Sequence, residues 1–146
     1  MIKENEKLGQ KMSQRGSILV TTLGVIFDTS SRKILIGKRV NDPYIKNNWC
    51  FPGARLEYGK DLERSLEAVV KKKTGLDVKN LGSVFSRILE EDKKFLLMYY
   101  LCEAVGGKER PSEDFSELKW VNPEELESHF ADSFDPRLKE YIMNLK

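Results

Sequence analysis

The stretch "FPGARLEYGKDLERSLEAVVKKKTGL", residues 51–76, carries most of the architecture. Pro52 and Gly53 interrupt the chain, as such a pair does at the end of a strand. A helix is expected next, because Leu62, Leu66, Val69 and Val70 recur at helical spacing and mark one buried face. Asp61 and Glu63 suit the helix start, and Lys71, Lys72 and Lys73 suit its end, where the backbone dipole is negative. Gly75 is a natural C-terminal stop. Glu63 and Glu67 lie four apart on one face, and Glu67 is placed to pair with Lys71 at the same spacing.

Working outward, "SILVTTLGVIFD" (17–28) is rich in β-branched residues and reads as a strand. "TSSR" turns the chain into "KILIGKRV" (33–40), the returning strand of a hairpin. "NDPYIKNN" is a loop, and "WCFPG" is a short strand ended by Pro52 and Gly53. Beyond the helix, "LDVKNLGSVFSRILEE" and "KKFLLMYYLCEAV" flank a charged turn and form a second hairpin. The polar loop "GGKERPSEDFS" leads to a strand, "ELKWV", and to the helix "NPEELESHF", with Asn122 as cap and Pro123 at its first position. "DPRLKEYIMNL" is the closing helix, capped by Asp135. Residues 1–16 form a polar arm in which Lys3, Lys7, Lys11 and Arg15 fall four apart. There is no internal repeat and no linker, so residues 17–146 are expected to be one mixed α/β (α+β) domain.

Composition sets the outer limits. The chain has 146 residues and a net charge of +2, too mild a balance for the basic stripe that nucleic-acid binding needs. No apolar run reaches the roughly 18 residues of a membrane span. The first residues are too polar for a signal peptide, so the protein is expected to be cytoplasmic. Cys50 and Cys102 sit in apolar surroundings and read as buried, reduced thiols. His129 reads as a surface or capping histidine in a polar late loop. "FLLMYYL" reads as sheet core, with Tyr44, Trp49 and Tyr99 as candidates for stacking on a nucleobase.

Residues 51–76 resemble the signature of the Nudix hydrolases, G-x5-E-x7-R-E-U-x-E-E-x-G-U, where U is bulky and aliphatic. The resemblance extends over about residues 17 to 145, through the two hairpins, "NNWCFPG", "ELKWVNPEEL" and the closing helix. It implies an α/β/α sandwich with a mixed central sheet and a MutT-like hydrolase of nucleoside diphosphate-linked substrates. Magnesium is then the cofactor, held by oxygen ligands on one helix face. Aligned on Gly75 and Leu76, Pro52, Gly53, Gly59 and Val70 keep their places. Ala54 stands for the first glycine, Lys60 for the first glutamate, Ala68 for the arginine, Val69 for the next glutamate, and Lys72 and Lys73 for the last two. An ammonium cannot ligate a metal unless it loses a proton. No metal is therefore expected at the usual positions, and Glu57, Glu63 and Glu67 are the candidates for a relocated site.

One branch is similar in more detail. "LIGKRVNDPYIKNNWCFPGARL" (35–56) looks like the corresponding stretch of the GDP-mannose mannosyl hydrolases, which cleave at the sugar carbon and use arginines on the departing diphosphate. By position Arg39 and Arg55 match those arginines, and a guanidinium fork suits phosphate oxygens. Gly53, Lys72 and Lys73 complete the expected ligand-binding set. That branch has a histidine base in the loop before the late strand. Here that loop has none, which leaves Glu113, Asp114 or Glu117 as candidate bases. Two functions are expected: binding of a nucleotide sugar or related ligand with weak or absent turnover, or hydrolysis with an unorthodox site. No nucleic-acid or membrane partner is expected, and a homodimer is an arrangement the resemblance allows.

Overall fold

The computed structural model describes residues 17–40, 49–57, 59–130 and 134–145. The arm expected at 1–16 and the loop expected over 41–48, with Tyr44, lie outside these residues. Among the described residues seven strands form one sheet: β1 (Leu19–Asp28), β2 (Lys33–Arg39), β3 (Trp49–Cys50), β4 (Gly53–Arg55), β5 (Leu76–Ile88), β6 (Phe95–Gly107) and β7 (Phe115–Val121). The helices among the described residues are α1 (Leu62–Thr74), α2 (Pro123–His129) and α3 (Pro136–Met143).

β1 is the axis of the sheet. Along its whole length one edge pairs parallel with β6, from Leu19 opposite Phe95 to Phe27 opposite Glu103. Its other edge is shared: Ile26–Asp28 pair antiparallel with β2, and Thr21–Leu23 pair antiparallel with β4. β2 in turn pairs with β7 and, at Gly37 and Lys38, with β3. The chain from Trp49 to Arg55 therefore fills the fork where β1 and β2 part. The Gly24 N–H donates to the Pro52 carbonyl at 2.8 Å and ties the fork closed. Both hairpins are present, and β5 and β6 form the longer one.

Alternation along the strands supplies two cores. Ile26, Leu35, Tyr100 and Cys102 face α1, packing on Leu66 and Val70. Val25, Ile34, Ile36 and Tyr99 face the other way, onto Leu126 of α2 and Leu138 and Ile142 of α3. This is the expected α/β/α sandwich with a mixed sheet. Burial of each such aliphatic side chain contributes about 1.5–3 kcal/mol.

The helix ends follow their residues. The Asp61 carboxylate accepts from the Arg64 N–H at 2.9 Å. At the other end Gly75 adopts φ 83° and its N–H donates to the Lys71 carbonyl. A Cβ there would also lie 2.4 Å from the Lys108 carbonyl oxygen, so both conformation and space require glycine. Asp135 caps α3 through the Arg137 N–H. That bond and the Arg137 side chain hold its carboxyl below the usual range, the side chain being the larger influence.

Several expectations need correction. Gly53 does not end a strand but begins β4, because the antiparallel register with β1 is available there. β6 runs on through Gly106 and Gly107, and β7 starts at Phe115, so the polar loop is shorter than "GGKERPSEDFS". Lys71 reaches not Glu67 but Asp77, at 3.1 Å, because the chain turns back at Gly75 and brings β5 beside the helix end. Glu67 instead accepts the Asn80 N–H at 3.0 Å. Asn122 occupies the cap position of α2 without a side-chain cap bond. His129 is the last residue of α2 rather than part of a loop, and packs edge-on against Trp49 with ring centroids 6.0 Å apart. Cys50 is half-buried, while Cys102 is buried as expected.

Burial, helped by the charge of Glu67, pushes the Cys102 thiol up to about 12 from an ordinary 9.0. The folded-state value exceeds the unfolded one, so the unfolded chain gives up this proton first. The contribution to stability is complete below about pH 9 and is lost as pH climbs toward 12, with a slope of about 1.4 kcal/mol per pH unit. Urea melts at several alkaline pH values should show this decline, and a Cys102→Ala variant should show a shallower one, because Tyr100 and Tyr141, also raised by burial, still contribute.

Candidate functional site

The fork between β1 and β2 opens into a cavity of about 480 Å³. Its floor is Thr21 and Leu23 of β1, Cys50 and Phe51, and Gly53 and Ala54 of β4. Arg39 at the end of β2, Arg55 at the end of β4 and Lys73 on the last turn of α1 bring positive charge to its wall. Glu113, Asp114 and Phe115 come from the start of β7 and the loop before it. A second cavity of about 210 Å³ adjoins it, sharing Ala54 and Arg55 and adding Glu57, Lys60 and Ser65.

Local physics places each side chain. Gly53 lies against β1 so tightly that a Cβ would stand 2.0 Å from the Thr22 carbonyl oxygen. This contact draws β4, and with it Arg55, onto the sheet. The Arg55 guanidinium lies over the Phe95 ring, 5.4 Å from its centroid. The Asp114 carbonyl accepts the Val40 N–H at 3.0 Å, and Ser112 Oγ accepts the Asp114 and Phe115 N–H groups at 3.2 Å each. The acidic loop is thereby laced to the end of β2. The Phe115 ring covers Gly37, where a Cβ would come within 2.6 Å of it.

Lys73 has the most definite geometry. Its Nζ donates to the Gly53 carbonyl at 2.7 Å, linking the end of α1 to the start of β4. Two ammonium donors are then left for other acceptors. Among the described residues no ion pair joins Lys73 or Arg55 to Glu113 or Asp114. Lys73 and Arg55 thus share one cavity with Glu113 and Asp114 without an ion pair to either.

Of the residues singled out from sequence, Arg39, Gly53, Arg55, Lys73, Glu113 and Asp114 come together here. Lys72 is exposed and does not line the cavity, and Glu117, on β7 opposite Lys38, does not either. Glu57 lines the second cavity, and Glu67 is turned to Asn80 of β5. Thr21, Leu23, Cys50 and Phe115 had no local signal, because each reaches the cavity through strand pairing, and Phe51 follows from its place between β3 and β4. Magnesium requires several oxygen ligands in near-octahedral array. Among the described residues no three His, Cys, Asp or Glu groups converge on a common point. The ammonium of Lys73 occupies the approach to the Gly53 carbonyl. The Lys73 side chain therefore offers a magnesium ion no oxygen ligand.

Comparison with known proteins bears on the same region. The NUDIX domain family profile matches residues 18–145. The chain belongs to the Nudix family. A MutT-like protein of Streptomyces ambofaciens is 25% identical over 121 residues, covering 82% of this chain and 73% of the relative. The crystal structure of a Nudix hydrolase from Nitrosomonas europaea shares 17% identity and superposes with a TM-score of 0.71, over 86% of this chain and 70% of that one. A C. elegans Ap4A hydrolase shares 15% identity with a TM-score of 0.64, over 84% of this chain and 92% of that one. These structures share the fold of this Nudix domain. No helix among its described residues is long and apolar enough to cross a membrane.

The two neighbouring lysines should respond differently to removal of charge. Lys73→Met breaks the bond to Gly53. A charged hydrogen bond is worth about 1.5–3 kcal/mol, and partial exposure of Lys73 reduces this to about 1 kcal/mol. Melting should fall by about 2–4 °C. Exposed Lys72→Met should change stability by less than about 0.5 kcal/mol. Equal melting temperatures for the two variants by calorimetry would contradict the assigned contact.

Proposed function

We propose that this Nudix domain binds a nucleoside diphosphate-linked ligand, with nucleotide sugars the favoured class, and turns it over weakly or not at all. The observation that carries this reading is the Lys73 Nζ–Gly53 carbonyl bond of 2.7 Å in the lining of the cavity. The family signature has a glutamate where Lys73 stands. A carboxylate there serves a metal that activates water, whereas an ammonium supplies countercharge to phosphate and has no means of activating water. Arg39 and Arg55 hold the diphosphate in this reading, each offering a planar fork of donors. Gly53 permits the close approach of backbone to ligand. Glu113 and Asp114 then accept hydrogen bonds from the hydroxyls of a sugar. The degenerate signature and the sequence likeness to GDP-mannose mannosyl hydrolases support the same conclusion.

A second reading rests on Glu113 and Asp114 lining the same cavity as both arginines. In it, one of these carboxylates acts as base toward water while Arg39 and Arg55 stabilise the departing diphosphate. Glu117 is less well placed for that role, being outside the cavity lining. The Ap4A hydrolase among the structural neighbours shows that the fold serves hydrolysis of nucleotide substrates elsewhere.

The readings separate in one assay. The protein is incubated with GDP-mannose, ADP-ribose and diadenosine tetraphosphate, with chelator or with magnesium or manganese, while product release and calorimetric binding are followed. The proposal expects binding that survives chelator, with no product. Metal-dependent turnover at ordinary enzyme rates, about 1–10³ s⁻¹, would establish the hydrolase instead. A Lys72→Glu, Lys73→Glu double variant should acquire measurable affinity for manganese. No gain in a folded variant would show that more than these two charges separates the site from a metal centre.

A further inference from the structure

The same site carries a consequence for the ionic form of its ligand. We propose that the Lys73 ammonium stands where a divalent cation would act, so that the cavity selects the metal-free diphosphate and discriminates against its magnesium complex. This inference rests on the reading of the cavity as a diphosphate site.

Three observations support it. The ammonium is directed to the cavity, because Nζ donates to the Gly53 carbonyl at 2.7 Å. That carbonyl is set in turn by the antiparallel pairing of Gly53 with Leu23. The other cations of the cavity, Arg39 and Arg55, come from β2 and β4, so the positive groups surround a common space from three elements. An incoming diphosphate meets two unused ammonium donors and the arginine forks, all of which need bare phosphate oxygens.

Magnesium on the ligand works against each of these. It removes two negative charges from the diphosphate and occupies the oxygens that the ammonium would reach. It also places a divalent ion beside a fixed cation in a partly enclosed site, where repulsion is weakly screened. The Lys73 ammonium offers the metal no ligand in return. Glu113 and Asp114, which line the same cavity beside the end of β2, are the groups that favour it. An ordinary metal-dependent site behaves in the reverse sense, because its carboxylates attract the complex.

GDP is a suitable probe, because its diphosphate complexes magnesium at millimolar concentration. Calorimetric titration of the full chain is run in chelator and in excess magnesium chloride, with sodium chloride added to match ionic strength. The expected result is binding weaker by about fivefold or more in magnesium. Lys73→Met should bind GDP less well in chelator and lose most of the magnesium penalty, while Lys72→Met should keep both affinities. Binding that magnesium leaves unchanged or tightens overturns this inference alone, and needs no variant to be read. Failure of GDP to bind in either condition overturns the functional reading as well.

Discussion

Residue 53 passes β1 at a distance that excludes any side chain, since a Cβ there would stand 2.0 Å from the Thr22 carbonyl oxygen. The rest of the molecule is arranged around that approach. β1 is paired along one edge with β6, and its other edge must serve both β2 and β4. The strand registers can be satisfied only if the chain between Trp49 and Arg55 fits into the fork. Glycine makes the fit possible. Once β4 is seated, its carbonyl at Gly53 faces the last turn of α1, and Arg55 stands at the rim of the space left between the strands.

Charge gives that space its character. The fold delivers three cationic side chains from β2, β4 and α1, and two carboxylates from the loop before β7. The Lys73 ammonium finds an acceptor in the Gly53 carbonyl, so its charge is satisfied rather than stranded.

Much of the fold was legible along the chain. The helical spacing of Leu62, Leu66 and Val70, with Asp61 and Gly75 at the ends, specified α1 nearly to the residue. These are local signals, decided by side chains within a turn or two. The expected Lys71–Glu67 pair failed for a non-local reason: Asp77, brought close by the turn at Gly75, competes for the same ammonium. Gly53 was misread as a stop for a similar reason, since its place in a strand depends on a partner about thirty residues earlier.

By itself the sequence determined the order of elements, the buried faces and the sign of charge at each signature position, because periodicity and residue type encode these directly. It also singled out Arg39, Arg55 and Lys73 as residues of interest. Tertiary structure alone decided that Lys73 lines the cavity while Lys72, its neighbour, points to solvent. Successive helical residues diverge by about 100°, so one position of difference separates a wall of the site from the surface. Tertiary structure also brought Glu113 and Asp114 into the same cavity as the cations, through a β2–β7 pairing between segments far apart in sequence. No local pattern encodes such a meeting, since it exists only when distant strands share hydrogen bonds.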